Sequence, residues 1–373
     1  MRILINSGLV FPVFAKREQL IEKIKDKGHE VSIGGYQTEA RDVCKMKGVG
    51  MEYIPFARAG LNPISDIKTV ISYYKVIKEG RYDLVHSYTA KPNIYGSIAA
   101  KIAGVKRIYP TVNGLGYAFT GNTSKNKIVR FVISCLYKVA FSCSTAVFFQ
   151  NIDDAEEMIN RRIVKRDKCV VISGSGIDLK KYTYSEMSDS RTFFMATRLL
   201  ITKGLRNYFE AARIVKKIHP EARFILAGAF DPNPDGIKKE ELDEYVNDGT
   251  VEYLGVVENM PEVLKSCSVF VLPSYYREGV PHANLEAMST GRAIITTNTP
   301  GCKETIKKPD EGGKGKNGFL VSPNNSIELS ERMIWMLEHS AELREMGKES
   351  YEYAKERFDV NIVNSEMMKT MGL

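Results

Sequence analysis

Two glutamates frame the segment REGVPHANLEAM, residues 277–288, with seven residues between them. Glycoside hydrolases use a pair of carboxyl groups for catalysis, in which one group is the acid and the other the nucleophile. That chemistry requires both carboxyl groups to face one glycosidic bond. Proline at position 281 is typical of a helix start, so Glu278 is predicted to precede a helix and Glu286 to lie inside it. We therefore favour two separate contacts to one long ligand, with exposed, solvated carboxylates as the alternative.

The helix start between the two glutamates has the properties of an anion site. SVFVLPS (268–274) is predicted to be a strand and YYREGV its exit loop, and the helix PHANLEAMSTG then ends near Gly291. The first-turn amides of His282, Ala283 and Asn284 have no acceptor inside such a helix and lie at the positive end of its dipole. The segment suits a ligand with a diphosphate in the middle and a polyol at each end, as in a nucleotide-sugar.

A second anion site is indicated by TRLLITKG, in which Arg198 and Lys203 flank a turn into a helix. Two cations beside a helix start suit a diphosphate, although surface loops also carry such residues without binding anything. The first loop, NSGLVF, lacks a GxGxxG pattern and no GxxxxGK[ST] pattern occurs, so neither a dinucleotide nor a P-loop nucleotide is expected. We therefore expect no cofactor, and because no Asp-x-Asp is present we expect no metal site.

Apolar runs and amphipathic stretches alternate along the chain and must position these residues. RILIN, EVSIGG, DLVHS and RIYPTV are separated by helix-like stretches, the first predicted at 16–27, and the pattern restarts at TFFMATRLL. Strands separated by helices predict parallel sheets, and 373 residues exceed one ordinary core. The predicted fold class is α/β, with two Rossmann-like domains over 1–178 and 190–350. Residues 351–373 are predicted to form a helix that packs back on the first domain.

Charge is distributed unevenly along the chain. Residues 1–180 hold 28 Lys and Arg against 16 Asp and Glu, and no acidic residue falls between Asp83 and Asp153. Such a domain is expected to attract phosphates, anionic lipid or nucleic acid, unless it is only a solvated surface. Because basic residues are not interleaved with aromatic ones, no nucleic-acid partner is expected. The apolar segment 127–149 is interpreted as a buried crossover helix and strand, with an amphipathic helix on an anionic membrane surface as the alternative.

The chain resembles the retaining glycosyltransferases of family 4, which have the two-domain GT-B fold. The resemblance rests on the glutamate pair in EGVPHANLEAMSTGRAIITTNTPGCKETI, and on GSGID (174–178), TRLLITKG and LGVVENMPEVL, which stand where that family has its hinge, its diphosphate cations and its base-binding segment. It covers nearly the whole chain and implies two parallel sheets facing across a cleft. The stretch DLVHSYTAKPNIYGSIAAKIAGVKRIYPTVNGLGYAF further resembles bacterial enzymes that extend surface or glycoprotein oligosaccharides on a polyprenyl diphosphate.

The resemblance implies roles for individual residues. Glu278 would bind the hydroxyls of the donor sugar and Glu286 the ribose, while Arg198 and Lys203 would neutralise the diphosphate leaving group. Contacts to the sugar, the phosphates and the base are implied for Gly8, Gly174, Gly176, Met260, Gly279, Val280, Pro281, His282, Ala283, Asn284 and Leu285.

A histidine of the first half departs from the family pattern in its surroundings. His86 matches the first histidine of a His-x-His pattern, but Tyr88 takes the second place and Asn113 stands where many relatives have a histidine. A catalytic role for His86 in proton handling is one interpretation, and a packed, hydrogen-bonded side chain is the other.

These features imply a metal-independent hexosyltransferase. Its expected partners are a nucleotide-sugar donor, as a UDP-hexose or UDP-N-acetylhexosamine, a polyprenyl-diphosphate glycan acceptor, and an anionic membrane surface bound by the basic N-terminal domain. The alternative functions are a nucleotide-sugar epimerase on the same fold and a nucleic-acid-binding protein. The N-terminus shows no secretory pattern, so the expected location is the cytoplasm, at the inner face of the membrane.

Overall fold

The computed structural model describes residues 1–55, 62–116, 119, 124–188 and 191–373, without the side chain of Lys125. The chain divides into two compact units, one formed by Met1–Ser175 with Asn361–Leu373 and the other by Gly176–Val360. Position 190, where the second domain is expected to begin, lies outside the described residues. The C-terminal helix belongs to the first unit, where Val363 and Met367 pack in the same cluster as the strand residues Ile3 and Ile5.

The first unit is built on a sheet of seven parallel strands in the order β3-β2-β1-β4-β5-β6-β7. The strands are β1 (Arg2–Asn6), β2 (Glu30–Gly35), β3 (Gly50–Tyr53), β4 (Leu84–Tyr88), β5 (Arg107–Val112), β6 (Val147–Phe149) and β7 (Cys169–Val171). Its helices are α1 (Phe11–Asp26), α2 (Arg41–Met46), α3 (Pro63–Gly80), α4 (Ser97–Ile102) after a π turn at Pro92–Gly96, α5 (Ser124–Cys143), α6 (Ile152–Asn160) and the C-terminal α13 (Val360–Met371).

The second unit repeats the architecture with the order β10-β9-β8-β11-β12-β14-β13. Its strands are β8 (Thr192–Ala196), β9 (Arg223–Ala227), β10 (Glu252–Tyr253), β11 (Val269–Leu272), β12 (Ala293–Thr297), β13 (Lys314–Gly315) and β14 (Gly318–Val321). Its helices are α7 (Leu205–Ile218), α8 (Lys239–Asn247), α9 (Met260–Lys265), α10 (His282–Ser289), α11 (Ser326–Glu338) and α12 (Ser340–Tyr353), the last followed by a π turn at Ala354–Phe358.

The predicted α/β class with parallel sheets is confirmed, with one exception at an edge. Strand β13 pairs antiparallel with β14. Only two residues, 316 and 317, connect these strands, and a parallel crossover needs a dozen or more. The short apolar run GFLVSP therefore gains a hairpin partner that the βαβ pattern does not predict.

The first helix and the crossover helix differ from their predictions. Helix α1 begins at Phe11, five residues before the predicted start, because Pro12 is well suited to the first turn of a helix. In the segment 127–149, β6 is buried as predicted, whereas α5 is buried on one face only, through Tyr137, Ala140 and Phe141. On its other face, Ile128 and Phe131 are 67% and 70% exposed. Among the described residues, no helix has the length and apolar character needed to cross a bilayer.

Candidate active site

The predicted site residues of the second unit lie on loops at one edge of its sheet. Arg198 and Lys203 follow β8, Met260 opens α9 after β10, and the two glutamates follow β11. All of these strands are parallel, so their carboxyl ends share an edge. The strand order reverses between β8 and β11, and this switch point is where open α/β sheets bind their ligands.

Lys203 and Glu278 form the most enclosed ion pair of this edge. The Lys203 Nζ lies 2.5 Å from a Glu278 carboxylate oxygen, and the two side chains are 10% and 13% exposed. The same Nζ lies 5.3 Å from the centre of the Tyr276 ring. Gly204, with φ of +83°, leaves room for the loop after β11, because a side chain at this position would approach the Pro273 carbonyl to 2.1 Å. Residues 75 positions apart in sequence therefore meet as a cation and an anion.

Helix α10 begins one position later than the sequence suggests. Pro281 is its N-cap, with extended backbone, and His282 is its first residue. The Pro281 carbonyl accepts the amides of Asn284 at 3.1 Å and Leu285 at 3.4 Å. The prediction that the Asn284 amide is free to bind an anion is therefore wrong, and the first-turn donors are reduced to His282 and Ala283. The Asn284 and Leu285 side chains are fully buried, so neither reaches a ligand without rearrangement.

Glu286 is held by two hydrogen bonds that the sequence does not reveal. Its Oε1 accepts the Tyr182 hydroxyl at 2.8 Å and lies 3.0 Å from Nδ1 of His282, one turn earlier on α10. Burial, and then the Glu286 carboxylate, raise the pKa of Tyr182, so that its hydroxyl stays protonated and donates. Tyr182 is 104 residues from Glu286 in sequence, and no local pattern could have identified it.

Arg198 is the more accessible of the two predicted cations. Its Nη1 donates to Asp231 Oδ2 at 2.7 Å, and its side chain is 51% exposed against 15% for Asp231. Asp231 lies in the loop after β9, the neighbour of β8 in the sheet. An acidic residue after an adjacent strand is a signal that sequence reasoning passed over.

The glycine and proline loop between the glutamates is shaped by close backbone contacts. A side chain at Gly301 would approach the Gly279 carbonyl to 1.8 Å, so the loop after β12 packs directly on the loop before α10. Val280 and Pro281 are buried, and Met260 packs partly buried against the core of the unit. Gly176 has φ of +74° and faces the Val360 backbone, where a side chain would come within 2.6 Å.

Three predicted residues belong to the first unit, namely Gly8, His86 and Gly174. The Gly8 carbonyl, in the bend after β1, accepts the Tyr36 amide at 3.4 Å. Gly174 has φ of +65°, a conformation that favours glycine.

His86 is buried on β4, where its Nε2 lies 2.8 Å from Thr111 Oγ1 and its ring packs 4.4 Å from Tyr88. Burial, and then the Arg17 charge, lower the pKa of His86 to about 3. A neutral, enclosed imidazole of this kind favours the structural interpretation of His86.

No cluster of three or more potential metal-ligating side chains occurs within the described ranges. The candidate site combines cations, carboxylates and helix-start amides. Such a set has donors suited to an anion and acceptors suited to hydroxyl groups.

Family models match both halves of the chain. The model described as "Glycosyl transferases group 1" matches residues 180–354, and the model described as "Glycosyl transferase 4-like" matches residues 8–151.

Two curated proteins are similar over long stretches. The chain is 32% identical to an N,N'-diacetylbacillosaminyl-diphospho-undecaprenol alpha-1,3-N-acetylgalactosaminyltransferase of Campylobacter jejuni, with 99% of this chain and 98% of that protein covered. It is 31% identical to a UDP-Gal:alpha-D-GlcNAc-diphosphoundecaprenol alpha-1,3-galactosyltransferase of Escherichia coli, with 76% of each covered.

Solved structures share the fold. Anabaena Alr3699/HepE in complex with UDP superposes with a TM-score of 0.77 at 19% identity, over all of both chains. Sucrose-phosphate synthase of Thermosynechococcus elongatus gives a TM-score of 0.79 at 18% identity, over 99% of this chain and 98% of that one.

Proposed function

Because this chain belongs to the group 1, family 4 glycosyltransferases of the GT-B fold, we propose that it moves a sugar from a UDP-sugar to a polyprenyl-diphosphate-linked glycan. The donor sugar is a hexose or an N-acetylhexosamine. The observation that carries the proposal is the enclosed contact of Lys203 with Glu278, at a sheet edge that also presents Arg198 and the start of α10.

The cations and the helix start supply the electrostatics of the transfer. As the bond between the anomeric carbon and the diphosphate oxygen breaks, negative charge builds on the leaving group. Arg198, Lys203 and the amides of His282 and Ala283 are donors fixed in place before that charge develops, which is the largest catalytic contribution in many enzymes. In this mechanism Glu278 binds the hydroxyls of the sugar that is transferred, and Glu286 binds the ribose of the departing nucleoside diphosphate.

The proton of the acceptor hydroxyl is taken up by the diphosphate of the nucleotide-sugar. In a retaining transfer the acceptor hydroxyl attacks the face that the diphosphate vacates, and its oxygen forms the new bond to the anomeric carbon. A departing phosphate oxygen takes the hydroxyl proton, so no side-chain base is needed. The low pKa and the burial of His86 agree with this assignment.

The donor and acceptor classes come from the similar proteins. The names of the Campylobacter and Escherichia coli relatives specify a diphospho-undecaprenol glycan acceptor, and the second specifies a UDP-sugar. Anabaena HepE shares the fold and was solved with UDP. These likenesses support a UDP-sugar and a polyprenyl-diphosphate glycan as the substrates here.

The first unit carries a surface suited to the membrane in which such an acceptor resides. Ile128, Phe131, Val132, Cys135 and Val139 are exposed on α5, at spacings of three and four residues that place them on one helix face. We call these five residues the α5 stripe. Lys127, Arg130 and Lys138 accompany it on α5, and the helix has no acidic residue. An apolar stripe with basic neighbours fits a surface of anionic lipid.

A thermal-shift comparison tests the nucleotide specificity. UDP is expected to raise the midpoint of thermal unfolding, because a ligand that binds only the folded chain stabilises it. GDP, NAD and a short RNA serve as controls and are expected to leave the midpoint unchanged. Stabilisation by NAD or RNA without stabilisation by UDP would overturn the assignment.

A further inference from the structure

The loop after β9, residues 229–237, is joined to the loop that carries both predicted diphosphate cations. The Leu199 amide donates to the Ala229 carbonyl and the Ile237 amide to the Leu199 carbonyl, both at 3.0 Å. The Ile201 amide donates to the Asp235 carbonyl at 2.8 Å. These backbone bonds fix the two loops as one piece, which we call the paired loops.

Asp231 holds Arg198 from this piece. Its Oδ1 accepts the Asn233 amide at 3.0 Å, which anchors the carboxylate to its own loop, and its Oδ2 accepts from Arg198 Nη1 at 2.7 Å. The arginine side chain is the longer and more exposed partner, and ordering such a chain costs conformational entropy. A guanidinium offers five donors in a planar fork. The ion pair engages one corner of the fork, so its other donors remain for a second anion.

Asp235 holds the turn that presents Lys203. Its Oδ2 accepts both the amide of Thr202, at 3.2 Å, and the Thr202 hydroxyl. On the opposite side, the Thr202 carbonyl accepts the amides of Tyr275 and Tyr276 at 3.0 Å. The residue immediately before Lys203 is therefore held by hydrogen bonds to two different loops.

We propose that Asp231 and Asp235 are positioning residues of the donor site, fixing Arg198 and the Lys203 turn for the diphosphate of the nucleotide-sugar. This inference rests on the proposed function. Asp231 is paired with a guanidinium, which compensates its charge. Asp235 directs its Oδ2 to the amide and the hydroxyl of Thr202, so that this oxygen is engaged by the turn itself. Cations held in place before the reaction need no reorganisation when charge develops on the leaving group.

A double-mutant cycle tests the role of Asp231. Asp231→Ala is expected to lower UDP affinity and kcat/KM for the donor by roughly tenfold, the range of coupling between contacting residues. In an Arg198→Ala background the same change should have almost no further effect, since the group that it positions is gone. Asp231→Asn, which keeps an acceptor oxygen, should recover part of the loss. UDP affinity by calorimetry provides the readout for variants too slow to assay.

The Arg206–Glu241 pair provides a matched control. Arg206 on α7 donates to Glu241 on α8 through two hydrogen bonds of 2.6 and 2.9 Å. Glu241→Ala removes an equally well-formed pair and is expected to leave UDP affinity and turnover unchanged.

Asp235 has its own cycle with Lys203. Asp235→Ala should weaken UDP binding in the wild-type background and much less in Lys203→Ala. Asp235→Asn is expected to be milder, because its amide oxygen still accepts from Thr202. Thermal midpoints of all variants separate loss of fold from loss of positioning.

The outcomes distinguish the inference from the proposed function. If Asp231→Ala and Asp235→Ala lower UDP affinity by the same factors with and without their partner cations, or not at all, the positioning role is wrong while the transferase activity stands. If the wild-type chain neither binds UDP nor consumes any UDP-sugar, the proposed function and the inference both fail.

Discussion

The two glutamates that suggest an acid and a base have different partners in the structure. Glu278 pairs with Lys203, whereas Glu286 accepts from Tyr182 and His282. Two carboxylates that act on one glycosidic bond need a shared target between them. Here each is bound into its own set of contacts, as expected for two contacts to different parts of one nucleotide-sugar.

Replacing Lys203 tests the charge on which the mechanism depends. Lys203→Ala removes a preplaced cation and is expected to slow sugar transfer by about 100-fold or more, the loss seen when one donor to a developing anion is deleted. Initial rates at saturating donor and acceptor provide the measurement. Lys217→Ala, on the exposed end of α7, is the control and should transfer normally. Near-normal turnover of Lys203→Ala would contradict the assignment.

Tyr182 provides a second residue-scale prediction. Tyr182→Phe keeps the ring but removes the hydroxyl that donates to Glu286. We expect UDP affinity to fall roughly 3- to 10-fold, the size of one hydrogen bond to a charged group acting through another residue. Calorimetric titration with UDP measures it. Tyr184→Phe changes a tyrosine that packs on Tyr351, and an equal loss in that variant would show that Tyr182 has no particular role.

His86 makes the folding stability depend on pH. Its folded-state pKa is lowered to about 3 from 6.5. Below pH 6.5 this imidazole therefore binds a proton in the unfolded chain but not in the folded chain. The free energy of unfolding is therefore lost as the pH falls from 6.5 towards 3, by up to about 1.4 kcal/mol per pH unit from this group.

Urea unfolding of wild type and His86→Gln at pH 7 and pH 5 measures this contribution. The variant should lose less stability on acidification than the wild type, and its sugar transfer should remain far above that of Lys203→Ala. An equal acid dependence in both proteins would show that His86 is not buried in its neutral form. Loss of transfer as large as that of Lys203→Ala would instead restore a catalytic role.

At the scale of elements, the sequence predicted what periodicity and turn residues control. The strands around the site, and helix α10 between Pro281 and Gly291, follow from apolar runs with proline and glycine at their ends. The antiparallel strand β13 was not predicted, because it has only two residues, Lys314 and Gly315, which are too few to show the alternation of a strand. The N-cap position of Pro281 was missed by one residue. The acceptor of the Asn284 amide was missed separately, because it is the Pro281 carbonyl three residues earlier, a tighter bond than the regular α-helical one.

Contacts between loops required the strand order, which the sequence does not contain. Arg198 and Asp231 meet because β8 and β9 are neighbours in the sheet. Tyr182 reaches Glu286 because the segment after Gly176 passes α10, where the Ser185 amide donates to the Thr290 carbonyl at 3.3 Å. Sequence reasoning identified the cations and carboxylates of the candidate site, but not Tyr182, Asp231 or Asp235, which hold them.

The α5 stripe is predicted to determine membrane binding. Phe131→Ser removes a large exposed apolar side chain, which contributes about 1.5–3 kcal/mol when it leaves water, and should weaken binding to vesicles of anionic phospholipid by about tenfold or more. Co-sedimentation at two salt concentrations measures it, and added salt should weaken binding further. Ile218→Ser, an exposed isoleucine on α7, is the control. Vesicle binding that is absent, or unaffected by Phe131→Ser and by salt, would contradict a membrane role for α5.

At the scale of the whole molecule, the features expected for binding the acceptor and those expected for binding the donor lie in different units. The first carries the excess of basic residues and the α5 stripe, and the second carries the paired loops and both glutamates. Each unit has its own sheet and its own buried core. This division agrees with a lipid-linked acceptor bound by the first unit and a nucleotide-sugar bound by the second.

Transfer of labelled sugar into lipid tests the central claim most directly. The wild-type protein is incubated with UDP-sugars labelled in the sugar and with an undecaprenyl-diphosphate-linked glycan, and label is counted in the organic extract. One UDP-sugar is expected to label the lipid with time, with the anomeric configuration of the donor retained and with little labelling by Lys203→Ala. Release of free sugar without lipid labelling, or no consumption of any UDP-sugar, would contradict the account.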